Sequence, residues 1–332
     1  MLKRVLGKSG IEASVVGLGT WAMGGWMWGG SDEKASVAAI HAAIDAGINL
    51  LDTAPIYGFG VSESIVGRAI SDRRDKVVLA TKCSMVCDPT AGKFKFRSTA
   101  QGPDPNGHIV IHLNLKPESI RREIEDSLRR LQTDYIDLYQ THWQEETTPI
   151  ADTMGELEDL RRQGKIRAIG VCNATPEQMQ EYSAVGQLDC DQERYSMFDR
   201  GLDFEQLPYC MENNVAVLAY SPLMLGLLTG KVDTDRKYAT GDWRQTHPRF
   251  AKDNIRRVLA MLEKFKPIAD AHNVTLAQLA IAWTFHQPGM THVLCGARTI
   301  EQSKENAAAG RVELTAEELQ TIDEAIAESG VQ

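Results

Sequence analysis

Short runs of β-branched and apolar residues recur along the chain. Each is followed by a stretch in which charged and apolar positions interleave at helical spacing. The runs cover 15–18, 49–52, 77–82, 136–140, 168–171, 188–192, 215–220 and 293–296. Eight strands are predicted, with helices between them, as in 119–131 and 153–162. Several helices carry start signals. Thr175-Pro-Glu-Gln178 is a capping box with proline at the first helical position. Thr275-x-x-Gln278, Thr299-x-x-Gln302 and Thr315-x-x-Glu318 predict the same device. Strands alternating with helices imply a parallel sheet, either open and doubly wound or closed into a barrel.

The region after the first strand separates the two. An open dinucleotide-binding sheet has a GxGxxG or GxGxxA turn that runs straight into a helix. Here Gly17-Leu-Gly19-Thr20-Trp21-Ala22 fits the looser spacing, but 23–30 holds Gly24, Gly25, Gly29 and Gly30, a loop composition. No acidic residue ends a second strand at the expected distance. The pattern favours an α/β fold of the closed (β/α)8 TIM-barrel kind, one domain over 1–332. The first residues predict a hairpin turning at Gly7–Gly10 that plugs the barrel bottom. Two connections exceed ordinary length: 83–116, rich in proline and glycine from Pro89 to Gly107, and 231–250. Both leave C-terminal strand ends, so they are expected as long structureless loops at the mouth, where barrels keep active sites.

Composition narrows the function. The net charge of −9 comes without a basic stripe, which argues against a nucleic-acid partner. No apolar run approaches the ~20 residues of a membrane span, and the N-terminus lacks a signal-peptide pattern. Cys83, Cys87, Cys172, Cys190, Cys210 and Cys295 are scattered, as expected of reduced thiols in a cytoplasmic protein. Oligomeric state is left open.

Four residues fall at or just past C-terminal strand ends, where a barrel would gather them: Asp52 and Tyr57 after the second strand, Lys82 at the third, His142 after the fourth. Carbonyl reduction needs a hydride at carbon and a proton at oxygen. A free tyrosine, with a pKa of ~10, is a slow acid or base at neutral pH. An ammonium such as Lys82 lowers it, Asp52 can hold that ammonium charged, and neutral His142 can orient the carbonyl oxygen. Singly, each has a plainer reading: a strand end, a turn cap, a wall imidazole, a loop aromatic. Trp21, Trp26 and Trp28 with Met23 and Met27 are expected as an apolar substrate wall, joined by Phe59, Trp143 and Phe250. His108-x-x-x-His112 lies in loop-like sequence, so no metal site is expected, and Cys83-x-x-x-Cys87 is a poor ligand pair. Lys93, Lys95 and Arg97 suggest polar or anionic sugars, with solvated loop charge as the plainer alternative.

These residues stand in longer matching text: Asn49-Leu-Leu-Asp52-Thr-Ala-Pro-Ile-Tyr57-Gly58, Ser62-Glu63, Ala80-Thr81-Lys82 and Asp137-Leu-Tyr-Gln140-Thr-His142. Further on come Gly164-Lys165-Ile-Arg167-Ala-Ile-Gly170-Val171-Cys172-Asn173, Ala219-Tyr220-Ser221-Pro222-Leu223 and Gly296-Ala297-Arg298-Thr299. Over essentially its whole length the chain resembles the aldo-keto reductases, near the bacterial branch of potassium-channel β-subunit-like and inositol- or sugar-related reductases. The resemblance implies a catalytic tetrad of Asp52, Tyr57, Lys82 and His142, and an NADP(H) site, with NAD(H) as an alternative. Gly19, Thr20, Trp21 and Asp52 would lie beside the cofactor. Asn173 and Gln192 would hold its carboxamide, and Tyr220 would stack under the nicotinamide. Ser221, Leu223, Gly226 and Lys231 would line the pyrophosphate path. Gly296 and Arg298 would meet the 2′-phosphate region, and Gln302, Glu305 and Asn306 the adenosine. Cys172 stands where serine is usual, Gly296-Ala297 where Lys-Ser is common, and Cys295 where proline is common. The implied activity is reversible reduction of aldehydes or ketones, with sugars or polyol-derived carbonyls as candidates. Two rivals share these residues: an NADPH-binding redox-sensing module, and an aldolase forming a Schiff base on Lys82.

Overall fold

Alternation of side chains along strands explains most of the architecture. The computed structural model describes residues 1–87 and 92–331. It begins with strands β1 (Lys3–Val5) and β2 (Glu12–Ser14), paired antiparallel as the expected hairpin. Strands β3 (Val16–Gly19), β4 (Leu50–Asp52) and β5 (Val78–Cys83) follow. An excursion of β6 (Met85–Val86), β7 (Lys93–Ser98) and β8 (Ile109–Leu113) comes next. Then come β9 (Ile136–Thr141), β10 (Ile166–Cys172), β11 (Cys190–Arg194), β12 (Ala216–Tyr220) and β13 (His292–Gly296). β3, β4, β5 and β9 to β13 form a closed parallel barrel, sealed where Gly296 of β13 pairs with Gly19 of β3. The eight predicted strands are these eight, with ends within two residues.

Ten helices among the described residues surround the barrel: α1 (Glu33–Asp45), α2 (Val61–Ile70), α3 (Pro117–Leu131), α4 (Ile150–Arg162), α5 (Pro176–Val185), α6 (Gln206–Asn213), α7 (Lys252–Ala271), α8 (Leu276–His286), α9 (Ile300–Ala309) and α10 (Ala316–Glu328). In α3 the buried positions Ile120, Ile124, Ser127 and Leu131 recur every three or four residues, so one stripe faces the barrel. Capping boxes close at Thr175, Thr275 and Thr315. The fourth forms by half: Thr299 accepts from Gln302 N–H, but Gln302 Oε1 accepts from Arg298 N–H at 2.8 Å, one residue upstream of the cap. Among the described residues no helix is long and apolar enough to cross a membrane.

Inside the barrel every second side chain points inward. The lower positions are apolar: Leu50, Val78, Leu138, Ala168, Cys190, Ala216, Leu218 and Leu294 form one cluster. Leu6, Ile11 and Ala13 of the hairpin belong to the same cluster and close the bottom. A Cβ at Gly17 would come within 2.7 Å of Leu294 and 2.9 Å of Leu50, so that layer is filled to the backbone.

The connection 83–116 is not the structureless loop expected. β6, β8 and β7 form a three-stranded antiparallel sheet in the order β6-β8-β7. Alternation in Lys93–Ser98 and the β-branched run Ile109-Val-Ile111 carried that signal, and the turn-rich residues between obscured it. Pro89 lies outside the described residues. Met85, Ile111 and Leu113 pack with Trp26, Ala54 and Ile56 in a separate apolar cluster at the mouth. The 231–250 connection is irregular, with single turns at Trp243–Gln245 and Pro248–Phe250.

Leu6 is fully buried in the bottom layer. Leu6→Ala is expected to cost about 2–5 kcal/mol of stability. Chemical denaturation should show the loss as a lower midpoint with an unchanged slope.

Candidate active site

The alternation that fills the lower barrel with hydrocarbon delivers polar groups at the top. Two residues above Leu50 stands Asp52; above Ala80, Lys82; above Leu138, Gln140; above Cys190, Gln192; above Leu218, Tyr220. A Cβ at Gly170 would approach Gln140 Cγ to 2.9 Å, so glycine there leaves room for that layer.

Lys82 and Asp52 are buried, at 0% and 3% exposure. Lys82 Nζ donates to Asp52 Oδ1 at 2.9 Å, to Asp52 Oδ2 at 2.7 Å and to the Thr53 carbonyl at 2.9 Å. Gln192 Nε2 donates to Asp52 Oδ1 at 2.9 Å, and Gln140 Nε2 lies 3.4 Å from the same oxygen. Burial alone would make such a pair unfavourable, and these partners supply the hydrogen bonds that water would have given. Tyr57 Oη lies 3.4 Å from Lys82 Nζ, and its ring meets the His142 ring edge-on at 5.8 Å. The four tetrad candidates converge as the strand-end placement predicted.

The electrostatics differ from expectation in one respect. Burial raises the Tyr57 phenol above its ordinary range, and the Lys82 ammonium opposes this without reversing it. Burial lowers Lys82, but Asp52 and Tyr57 together outweigh it, so the ammonium is held above its ordinary range. Burial pushes His142 well below its usual value, and Lys82 and Lys95 push it further. At neutral pH the group is therefore a phenol over an ammonium, beside a neutral imidazole. Such a phenol can give its proton to an oxygen on which negative charge develops.

A cavity of about 760 Å³ opens above these groups. Trp21, Trp26, Met27, Trp28, Trp143 and Phe250 line its aromatic part, as expected, whereas Met23, expected with them, is buried in the main core instead. Phe59 does not line it either; it packs behind Trp26, ring centres 5.7 Å apart, within the mouth cluster. The other part passes Ser221, Leu223, Gly226 and Lys231 to Gly296, Arg298, Gln302, Glu305 and Asn306. Gly19, Asn173, Gln192 and Tyr220 lie between. Thr20 is turned away, its buried hydroxyl bonded to the Asp52 carbonyl at 2.9 Å and to Ser62.

This groove suits a dinucleotide. Ser221, Met224, Leu225 and Gly226 all have positive φ, a backbone that gathers N–H groups into anion-binding concavities. The N-terminus of α9 opens beside Arg298. Asn173 donates to the His142 carbonyl at 3.0 Å and accepts from Tyr220 Oη at 2.9 Å, so both side chains are preset. Gln192 is instead engaged by Asp52 and Gln140. Lys231 is held by Glu305 at 2.8 Å. Among the described residues no cluster of His, Cys, Asp or Glu could hold a metal, and Lys93 pairs with Glu146.

Sequence reasoning missed Trp243, Arg244, His247, Asp199 and Arg249, all of which line the cavity. The aromatic and basic run from Tyr238 to Phe250 was the available signal. It also missed Gln140, although alternation from Leu138 points it inward.

A family model described as Aldo/keto reductase family matches residues 15–327. The chain is 41% identical over 321 residues to the NADH-specific methylglyoxal reductase of Escherichia coli, covering 95% of each protein. It is 43% identical over 293 residues to the aldo-keto reductase YhdN of Bacillus subtilis, covering 87% of this chain and 83% of that one. Among solved structures, the glycerol dehydrogenase AKR11B4 of Gluconobacter oxydans superposes with a TM-score of 0.84 at 38% identity, covering 97% and 94% of the two chains. An aldo/keto reductase of Klebsiella pneumoniae in complex with NADP and acetate gives 0.70 at 31% identity, covering 98% and 95%.

Because the Tyr57 pKa is raised, its phenolate should be absent below about pH 10, the value for a free tyrosine. In tyrosinate absorbance titrations, wild type and Tyr57→Phe should coincide up to that pH. An extra titrating group near neutral pH in the wild type alone would show that Lys82 dominates instead.

Proposed function

The chain belongs to the aldo/keto reductase family, and we propose that it reversibly reduces small aldehydes or ketones with a nicotinamide dinucleotide, Tyr57 giving the proton. The observation that carries this reading is the Tyr57 phenol 3.4 Å above a buried Lys82–Asp52 pair, at the floor of a cavity long enough for both reactants.

When bound, the reduced cofactor supplies the hydride. Asn173, Tyr220 and the cavity floor orient its nicotinamide end, and Ser221, Leu223, Gly226 and Lys231 accompany its phosphates. Gln302, Glu305 and Asn306 receive its adenosine. Neutral His142 donates a hydrogen bond to the carbonyl oxygen and fixes its direction. As charge develops on that oxygen, Tyr57 releases its proton there, and the Lys82 ammonium stabilises the phenolate left behind. Trp21, Trp26 and Trp143 exclude water from the reacting carbon.

For the cofactor, we favour NADP(H) with NAD(H) also accepted. Arg298 uses two of its five N–H groups on backbone carbonyls, which leaves three for a 2′-phosphate. NADP and NADPH are named with the Klebsiella pneumoniae structures, whereas the Escherichia coli relative is NADH-specific. Methylglyoxal and glyceraldehyde are the first substrates to test: the first is named with the Escherichia coli relative, and the second is the aldehyde that oxidation of a terminal carbon of glycerol, named with the Gluconobacter oxydans structure, would give. All six cysteines are free, which accords with a cytosolic setting.

The Schiff-base alternative fits poorly. Nucleophilic attack needs a neutral, accessible amine, and Lys82 Nζ is a buried ammonium with three acceptor contacts. A purely sensing role would not need the complete tetrad.

Tyr57→Phe should keep cofactor binding near normal and lower turnover by about 10²–10⁴-fold, the usual contribution of a positioned acid. Steady-state oxidation of NADPH and NADH with methylglyoxal measures this, and wild-type turnover in the variant would refute the role. Arg298→Ala should raise KM for NADPH far more than for NADH. Equal effects would remove Arg298 from the 2′-phosphate.

A further inference from the structure

Arg298 also reaches across the mouth. From the loop after β13, its Nη1 donates to the Trp28 carbonyl at 3.0 Å and its Nη2 to the Gly30 carbonyl at 2.9 Å. Those carbonyls belong to the loop between β3 and α1, which doubles back on itself. The N–H groups of Trp28 and Gly30 both donate to the Gly25 carbonyl, at 3.0 and 3.2 Å. Gly25, Met27, Gly29 and Gly30 all have positive φ. A Cβ on Gly25 would sit 2.6 Å from the Gly30 carbonyl carbon, so the turn needs glycine there. A glycine-rich loop of this kind has many alternatives open to it, and its place must come from outside ties.

Hydrogen bonds from four places hold residues 25–30 against the rest of the chain. Met27 N–H donates to the Gln101 carbonyl at 2.8 Å, Trp243 N–H donates to the Met27 carbonyl at 3.2 Å beside the bridge between Trp28 and Asp242, and Trp26 Nε1 donates to Ser98 Oγ at 3.1 Å. These three come from the neighbouring mouth segments. Arg298 is the fourth, a charged fork gripping two carbonyls from the loop after β13.

The loop matters because of what it carries. The Trp28 ring meets Trp21 edge-on at 5.4 Å, with the Arg244 guanidinium 4.9 Å away. Trp21 in turn lies 6.2 Å from the Tyr57 ring and 6.0 Å from Trp243. Trp28 thus hangs from backbone that Arg298 holds, and Trp21, on its own turn, packs against the Trp28 ring.

We propose that Arg298 is a positioning residue for the carbonyl pocket: by fixing the carbonyls of Trp28 and Gly30 it sets the Trp28–Trp21 wall beside Tyr57, independently of any contact with a cofactor phosphate. The proposal rests on the reductase reading above, which gives Arg298 a role at the cofactor alone. Lysine cannot replace it, because one ammonium does not reproduce a planar fork on two carbonyls.

The test compares wild type, Arg298→Ala, Arg298→Lys, Trp28→Ala and the Arg298→Ala/Trp28→Ala double variant. NADH is used at saturation, so that no 2′-phosphate is present. Two readouts are taken: KM and kcat for methylglyoxal, and acrylamide quenching of tryptophan emission in the ligand-free protein. Arg298→Ala should raise the methylglyoxal KM about tenfold, as loss of two hydrogen bonds from a charged donor allows, with little change in kcat. Arg298→Lys should not restore it, and the double variant should be no worse than the worse single, since both act on one wall. Quenching should increase in Arg298→Ala. An unchanged methylglyoxal KM, or effects that multiply in the double variant, would overturn the proposal. If the wild type fails to oxidise NADH with any carbonyl tested, the reductase reading fails, and quenching decides alone: increased access in Arg298→Ala sustains the positioning role, unchanged access overturns it.

Discussion

Burying an ammonium and a carboxylate in the middle of a barrel constrains everything around them. Lys82 and Asp52 have essentially no contact with solvent. Removing each ion from water costs about several kcal/mol, and mutual attraction compensates only where geometry is good and the remaining hydrogen-bonding positions are filled. The Thr53 carbonyl, Gln192 and Gln140 fill them. The ion pair therefore dictates the neighbouring strands: β9 and β11 must each present an amide at the same height, and β10 must present glycine there. In return, the pair places a fixed positive charge under Tyr57. The phenol is still raised by burial, so the resting site is an acid whose conjugate base already has a counter-charge in place.

The barrel is divided by height. Below, hydrocarbon and the hairpin plug make a filled core with no role in chemistry. Above, the same strands end in polar groups, and three separate segments close over them. These are the loop after β3, the β6–β8 sheet and the 231–250 connection, tied through Met27, Trp28 and Asp242. Chemistry thus rests on rigid strand ends, while pocket shape rests on segments held by a few hydrogen bonds. Substrate preference can change in such a barrel without disturbing the tetrad.

Much of this was legible in the sequence, and the exceptions have physical reasons. Eight strands could be read because a parallel barrel buries both faces of each, leaving continuous apolar runs. Asp52, Lys82 and His142 stood out because polar residues at the ends of such runs need a purpose. The β6–β8 sheet was hidden because its strands are short, one face is exposed, and glycine and proline separate them. Phe59 looked like wall because proximity along the chain to Tyr57 does not fix which way a ring points. The Gln302 side chain chose Arg298 over the cap, a competition between adjacent N–H groups that spacing alone cannot settle. The direction of the Tyr57 shift depended on weighing burial against one cation, and burial becomes known only once the mouth is built. Trp243 and Arg244 were missed because a long connection gives no clue to where it folds back.

The central constraint is that Lys82 and Asp52 stabilise each other in a place that tolerates neither alone. It is tested most directly by a double-mutant cycle in stability with Lys82→Met, Asp52→Leu and the combination, read by chemical denaturation. Each single change should cost about 3–5 kcal/mol, and the pair should recover a coupling of about 2–3 kcal/mol. Strictly additive losses would mean that the two charges do not depend on one another, and the account of the site would fail with them.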